Sequence, residues 1–543
     1  MGGVRRGDKR NGRPPAGGGR PPRAAARVEA AERPAADGTI GDAPGAPVPV
    51  RGTAVAFTSL AFLAFFAAVA VVHRLLPAAL RWAWLLVASA CFYLSFIPSY
   101  LAVLLAAALF NYGAGLRIEA AAGARRRGLL VAGIAANLLL LVFFKYSPFF
   151  DSCVEAAAEW LGFRYREGAL RLILPLGLSF FVFTAIGYLV EVDRGRVRAE
   201  RHLGLLALYF LFFPKVAQGP IERAERFLPQ LRAMPSAGPD RIAAGFRRIL
   251  LGCFKKLVVA DRLALYVNAV YGNEPEHNGT SLIVATIFYA FQIYADFSGY
   301  TDMALGSAEV LGFDLSPNFR RPYLATSIAD FWNRWHISLS TWLRDYLFLP
   351  LAYRFSNLVP KPRLLFIRSD KWVYLFAVLI TFVLCGIWHG EGWNYALWGA
   401  LFGFYLTVSN WSRKLRRAVT RRTGLAARPA LQTAFRIVAT FALVSVAWVF
   451  FRGGTLETIG SVLRKIVFSH GAPFLASPST MVYSLLGVAA IVAADLKEEF
   501  LGERFSLLAH RSGAVRYAAS AALIVAMLLI GVLDGGQFIY FQF

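Results

Sequence analysis

Cysteine is scarce in this sequence, and the familiar cysteine-, phosphate- and serine-based catalytic signatures are missing. The 4 cysteines in 543 residues are Cys91, Cys153, Cys253 and Cys385. None is in a CxxC pair, so a disulfide framework is excluded, and they read as small buried hydrophobes. Cys385 and His389 share a helical spacing of four. However, two ligands are too few for a metal, and no HExxH or second Cys/His pair completes a site, so none is expected. No GxxxxGK[ST] loop, strand-linked GxGxxG or GxSxG elbow occurs, which excludes P-loop, dinucleotide and serine acyl-enzyme chemistry. Charge is thin too: 17% of residues are Asp, Glu, Lys or Arg. With a mean hydropathy of +0.50, an ordinary soluble protein is excluded.

In place of these there is apolar sequence, 57% of the chain. Runs approaching membrane-spanning length cover 55–72, 82–97, 100–115, 128–144, 172–190, 203–217, 281–295, 372–388, 393–409, 434–451, 481–495 and 518–533. They predict an all-α polytopic membrane protein with roughly 11–13 spans, the shorter runs being re-entrant or buried. The net charge of +25 sits in short loops: Arg125–Arg127, Arg194–Arg201, Arg247–Arg248, Lys361–Lys371 and Arg413–Arg422. That is the positive-inside pattern of a membrane protein, not a nucleic-acid surface.

Residues 1–52 are Arg-, Pro-, Gly- and Ala-rich without apolar periodicity, and read as a disordered tail. The first apolar run begins near Ala54, too late for a signal peptide despite Arg5–Arg6. Residues 53–543 read as one membrane domain, with an amphipathic stretch at 216–262 and a polar motif region at 292–403. No internal repeat is visible, which weighs against an inverted-repeat transporter.

Three polar stretches interrupt the apolar sequence. In "WNRWHISLSTWLRDYLFLPL" (332–351), helical spacing puts Trp332, Trp335, Leu339 and Trp342 on one stripe and Asn333, His336, Ser340 and Arg344 on another. In "LCGIWHGEGWNYALWGALFG" (384–403), His389 ends an apolar run before a glycine-rich turn. A neutral imidazole is a competent general base near physiological pH, although a lone histidine at a helix end is more often structural. Two histidines in dense aromatic and polar motifs strengthen the catalytic reading of each. His73, His202, His277, His470 and His510 sit in plainer contexts and read as structural or solvated. The third stretch, 292–331, holds Asp296, Ser298, Tyr300, Thr301 and Asp302, then Asn318, Arg320 and Arg321. Asp296 there pairs with a basic residue or caps a helix.

The 332–351 stretch, followed by "GIWHG", resembles the membrane-bound O-acyltransferases, in particular the bacterial branch of the alginate O-acetyltransferase membrane subunit. Further blocks agree: "FTSLAFLAFF" (57–66), "LPLGLSFFVFTAIGYLVEVDRG" (174–195), "FFPKVAQGPIERAERFLPQL" (212–231), "FKKLVVADRLA" (254–264), "YADFSGYTDMALG" (294–306), "WVFFRGGTLETI" (448–459) and "FIYFQF" (538–543). The resemblance implies a helical bundle around a central tunnel or funnel, with His389 as the essential histidine and His336 supporting it. It implies no bound cofactor. The acyl donor would be a thioester, acetyl-CoA or an acyl carrier protein, and the acceptor a hydroxyl. Glu391 departs from the small residues that follow the histidine in many relatives.

The expected function is transfer of a short acyl group, acetyl foremost, from a cytoplasmic thioester toward O-acetylation of an extracellular polysaccharide. The setting is the bacterial inner membrane, with an extracytoplasmic partner acyltransferase. Asp296, Asn333, Ser340, Arg320 and Arg321 are the candidates for substrate positioning. D-alanyl transfer to a cell-wall polymer, a polymer or lipid transporter with a histidine proton relay, and a recruiting scaffold are the alternatives.

Overall fold

The computed structural model describes residues 57–166, 168, 172–359, 362–502 and 507–533. The tail at 1–52 and the terminal "FIYFQF" lie outside the described residues. The rest is helical, apart from a two-residue β-hairpin, β1 (Arg363–Leu364) with β2 (Ile367–Arg368).

The first helices are α1 (Leu60–Leu75), α2 (Ala78–Leu94), α3 (Pro98–Ala120), α4 (Gly123–Lys145) and α5 (Ser147–Trp160). Helices α3 and α4 form a tight antiparallel hairpin. It is fixed inside the apolar layer by two buried amides: Asn111 Nδ2 donates to Asn137 Oδ1 at 3.1 Å, and Asn137 Nδ2 donates back at 2.9 Å. In a bilayer such a pair has no water to compete with it.

Next come α6 (Leu178–Asp193), α7 (Leu203–Leu211) and α8 (Phe213–Val216). The sequence reads 172–190 and 203–217 as membrane runs. The structure instead makes them short helices, α6 buried almost throughout and α7 over Leu206–Leu211. They are apolar because protein, not lipid, surrounds them, so they need no spanning length. Among the described residues, seven helices are long and apolar enough to cross a bilayer, and α1 and α2 are shorter apolar helices.

After α9 (Ala224–Ala233), the amphipathic stretch becomes α10 (Pro239–Phe254), a π-turn at Lys255–Ala260 and α11 (Asp261–Tyr271). They run along the 33-residue α12 (Gly279–Leu311). Four glycines let α10 and α12 approach closely: a Cβ on Gly252 would lie 2.5 Å from the Gly299 carbonyl, and one on Gly306 2.5 Å from the Gly245 carbonyl. Helices α13 (Ile328–Arg334), α14 (Ile337–Leu343), α15 (Leu349–Leu358), α16 (Ser369–His389) and α17 (Trp393–Trp411) follow. The bundle closes with α18 (Arg413–Arg422), α19 (Pro429–Arg452), α20 (Leu456–Phe468), α21 (Pro478–Leu501) and α22 (Gly513–Ile530).

Side-chain contacts fix which helix ends share a face. Arg126 at the start of α4 pairs with Asp193 at the end of α6 at 3.1 Å, and Arg223 pairs with Asp345 at 3.1 Å. Lys371 lies over the Trp411 ring, bringing the start of α16 to the end of α17. One face therefore gathers the basic loops. The end of α4, the α16–α17 turn and the end of α19 lie at the other face.

The cysteine expectation holds for Cys385, which is buried. Cys91 and Cys153 are exposed instead, on a surface rich in exposed Leu, Val and Phe. A thiol is apolar enough for such a surface.

Candidate active site

The 332–351 stretch is not one continuous helix. Helix α13 stops at Arg334, Trp335 is extended, and His336 adopts φ 42°, ψ 55°, the left-handed region, before α14 begins. The break is built by its neighbours. Asn318 accepts the Ile337 N–H on its carbonyl at 2.9 Å and the Ser338 hydroxyl on Oδ1 at 2.6 Å. Arg320 N–H donates to the Arg334 carbonyl at 2.9 Å, and Ser340 Oγ donates to the Trp335 carbonyl at 3.0 Å. The two predicted stripes are thereby scrambled. Trp335 and His336 are both buried, whereas Asn333 is exposed and does not join His336. Ser340 serves the turn.

His336 is 1% exposed, and neither ring nitrogen has a hydrogen-bond partner. Phe297 meets its edge at 4.8 Å and Phe180 stacks on it at 6.2 Å. Phe180 also touches Trp388 at 5.8 Å, the residue before His389. His389 is buried within Trp388, Trp398 and Phe451, at centroid distances of 4.6, 5.1 and 5.3 Å. A ladder of Trp342, Phe183 and Trp388, with spacings of 4.3 and 5.0 Å, ties α14 to α6 and α16. The Trp342 indole donates to the Phe183 carbonyl at 2.9 Å. The Trp388 and Trp398 indole N–H groups are buried without acceptors. Orphaned donors of this kind around two histidines are where a polar ligand or water belongs.

Among the described residues, an apolar cavity of about 380 Å³ lies against Phe183, Trp342 and Trp388, and two further, more polar cavities reach the chain neighbours of the histidines. The first of these two, about 540 Å³, lies toward the basic face between α10, α12 and α21. It extends to Asn318 and Ile337, beside His336, and its wall carries Arg248, Lys255, Arg320, Arg321, Asp302 and Asp495. Lys255 pairs with Asp302 at 2.7 Å, and Arg321 with Glu499 at 2.6 Å. Arg320 is exposed at this cavity. The buried Ser298 Oγ, Thr301 Oγ1 and Asn318 Nδ2 have no partners. The second cavity, about 310 Å³, lies at the opposite face, lined by Phe144, Lys145, Pro148, Leu172, Leu174, Gly390, Glu391 and Tyr395. Burial lifts the Glu391 carboxyl above its ordinary range, an effect the Lys145 charge partly reverses.

Asp296 directly precedes Phe297, which packs against His336. It accepts from Lys256 at 2.8 Å, and Lys256 also pairs with Asp261 at 2.8 Å, so the pairing alternative is the one realised. Sequence reading missed Lys145, Phe180, Arg248, Lys255 and Asp495. A lone lysine closing "LLLLVFFK" was the visible signal for Lys145. The aromatic and basic groups carried none, because only the fold brings them together.

Comparison with known proteins agrees with this architecture. Residues 202–448 match the model of the MBOAT, membrane-bound O-acyltransferase family. A probable alginate O-acetylase of Pseudomonas aeruginosa is 34% identical over 425 residues, covering 77% of this chain and 76% of that protein. A peptidoglycan O-acetyltransferase of Helicobacter pylori is 32% identical, covering 72% and 74% respectively. A teichoic acid D-alanyltransferase of Bacillus subtilis is 28% identical, covering 52% and 69%.

Proposed function

Because the chain belongs to the membrane-bound O-acyltransferase family, a multi-pass membrane O-acyltransferase, we propose that it carries acetyl from a cytoplasmic thioester to a hydroxyl beyond the bilayer. The positive-inside rule puts the basic face in the cytoplasm of a bacterial inner membrane. The observation that carries the reading is that two cavities toward opposite faces reach the chain neighbours of the two buried histidines, Ile337 beside His336 and Gly390 beside His389.

The donor enters the cytoplasmic cavity. Arg320, with Arg321, Arg248 and Lys255 behind it, attracts the phosphates of acetyl-CoA or of a carrier protein's prosthetic arm. Ser298, Thr301 and Asn318 supply hydrogen-bonding groups that their own fold leaves unused, as the amides of a pantetheine arm require. His389 takes the proton from the acceptor hydroxyl as that oxygen attacks the thioester carbonyl. The new C–O bond forms, a tetrahedral oxyanion develops, and His336 N–H donates to it. Collapse breaks the C–S bond, and the thiolate leaves with the proton from His389. Metal is not needed in this scheme, and the donor is a substrate, not a resident cofactor.

Alginate and peptidoglycan O-acetylating relatives support an extracellular polysaccharide as the final acceptor, reached directly or through an extracytoplasmic partner acyltransferase. Family membership removes the transporter alternative. D-alanyl transfer is the weaker alternative, since those relatives match only about half of this chain.

The test is ester-linked acyl content of surface polysaccharide in the native host. Wild type is compared with a deletion and with the deletion carrying His389→Ala at matched membrane levels. Esters should vanish in the deletion and not return with the mutant. Their return would make His389 structural and overturn the mechanism.

A further inference from the structure

Helix α18 has no part in acyl transfer, and none of its residues is buried against the described chain. Six of its ten residues are cations: Arg413, Lys414, Arg416, Arg417, Arg421 and Arg422. The sequence has no Asp or Glu between Glu391 and Glu457, and among the described residues none of the six forms an ion pair. Arg416 folds back and donates to the Ser409 carbonyl at 2.6 Å. Arg413, Arg417 and Arg421 stand four apart along one line, where like charges destabilise a helix. Helical spacing puts Lys414 beside them and Leu415, Ala418 and Val419 on the other side. Leu415 is 66% exposed and Val419 49%. So short a helix is marginal in water, whereas a cationic side backed by an apolar one suits the boundary of a bilayer.

The neighbours of α18 hold it at that boundary. It runs from the end of α17 toward α19, whose 24 residues are long and apolar enough to cross a bilayer. Trp411, the last residue of α17, packs at 5.6 Å against Trp372 at the start of α16, a second such helix. The β1–β2 hairpin directly precedes α16 and adds an independent feature to the same face. Its two-residue turn is Leu365–Phe366, with φ of 48° and 64°. Turns with positive φ at both positions favour Asn-Gly, because larger side chains are strained there. Phe366 is nevertheless 100% exposed, between the exposed Arg363 and Arg368. A strained turn that holds a phenyl ring clear of the protein points to something that receives the ring.

We infer that α18 and the hairpin tip form one docking surface for anionic phospholipid headgroups of the leaflet on the basic side. Leu415, Val419 and Phe366 sit among the upper acyl carbons, and the cations meet the phosphates. Charge complementarity selects the lipid, since an array of cations with no acid beside it draws acidic headgroups in preference to zwitterionic ones. The surface ties down the start of α16 and the end of α17, the two helices whose far ends enclose the turn after His389. The inference needs the membrane setting alone and not the acyltransferase reading, so failure of the ester assay leaves it standing.

The test uses the full chain with its 4 native cysteines replaced by alanine and a bimane fluorophore on Val419→Cys or, separately, on Phe366→Cys. Each protein is placed in phosphatidylcholine nanodiscs that hold equal fractions of doxyl-labelled phosphatidylglycerol or doxyl-labelled phosphatidylcholine as quencher. Both positions should be quenched. At Val419 the anionic quencher should act about fivefold or more strongly than the zwitterionic one, the factor that a single cation at a membrane surface supplies. High salt should shrink that margin. The combined Arg413→Gln, Lys414→Gln, Arg417→Gln and Arg421→Gln chain should lose the margin and keep the quenching by phosphatidylcholine. Arg413→Lys, Arg417→Lys and Arg421→Lys together should keep the margin. All four positions are exposed, and the comparison of the two quenchers on the labelled chain stands even where a variant fails to fold. No quenching at either position would put the surface in water, facing a soluble acidic partner, and would overturn the inference. Equal quenching by the two lipids, or a margin that survives neutralisation of the four cations, would overturn it as well.

Discussion

Replacing Gly386 with alanine separates the stability of the helical hairpin from the precision of its histidine. Gly386 lies one turn before His389, where α16 meets α17. A Cβ there would stand 2.1 Å from the Tyr395 carbonyl oxygen and 2.9 Å from its carbon. Real Cβ contacts stay beyond 3.0 Å, so the two backbones must part by about 1 Å. No side chain can swing aside, since the obstacle is backbone. Overpacking of this kind costs about 1–3 kcal/mol, and alanine returns about 1 kcal/mol of helix propensity. The net loss of stability is then about 0–2 kcal/mol, a modest fall in melting temperature. Activity should suffer much more. His389 moves with the last turn of α16 or loses its seat against Trp398 on α17, and a displacement of about 1 Å costs on the order of 100-fold in rate. The assay pairs thermal melting of the purified protein with acetyl transfer from labelled acetyl-CoA at matched protein. A Gly386→Ala protein within twofold of wild-type activity would refute the claim that this contact sets the position of His389.

Two further outcomes follow from the same geometry. The reciprocal amides of Asn111 and Asn137 should show a coupling of about 0.6–1.7 kcal/mol in a double-mutant cycle read by unfolding in detergent; additive single losses would dissolve the pair. Burial favours the protonated form of Glu391, so the carboxyl gains its proton at higher pH in the folded chain than a free glutamate does. As pH falls through the range in which Glu391 gains its proton, the outward cavity loses that negative charge. Acyl transfer should therefore change across that range in wild type and lack that change in Glu391→Gln; the same change in both would assign the titration elsewhere.

The place of His389 at the buried end of a helix was legible from its motif, because an intramembrane histidine followed by glycines is rare for a physical reason. The surroundings of His336 were not. Nothing in "NRWHIS" breaks a helix by propensity: there is no proline or glycine, and the apolar spacing continues across the break. The left-handed turn is imposed by Asn318 and Arg320, which lie well upstream in the sequence, and such tertiary overrides leave no local trace. Which apolar runs face lipid was not legible for a related reason. Hydropathy records that Phe180–Val192 avoids water, but not whether lipid or protein replaces it. Pairing of Asp296 with a base was readable as a requirement, since a buried carboxylate needs a partner, while the identity of that partner, Lys256, was not.

The long helix α12 also constrains how the protein is made. It has spanning length, yet 83% of its apolar window is covered by protein, and it carries Asp296 and Asp302. Each carboxylate released alone toward lipid would cost about 2.5–3.5 kcal/mol. Their counter-charges, Arg248, Lys255 and Lys256, all lie on the segment synthesised just before. The insertion machinery cannot profitably hand α12 to the bilayer as a solitary span. It must release α10, α11 and α12 as one neutralised hairpin, so the order of residues along the chain also schedules its biogenesis.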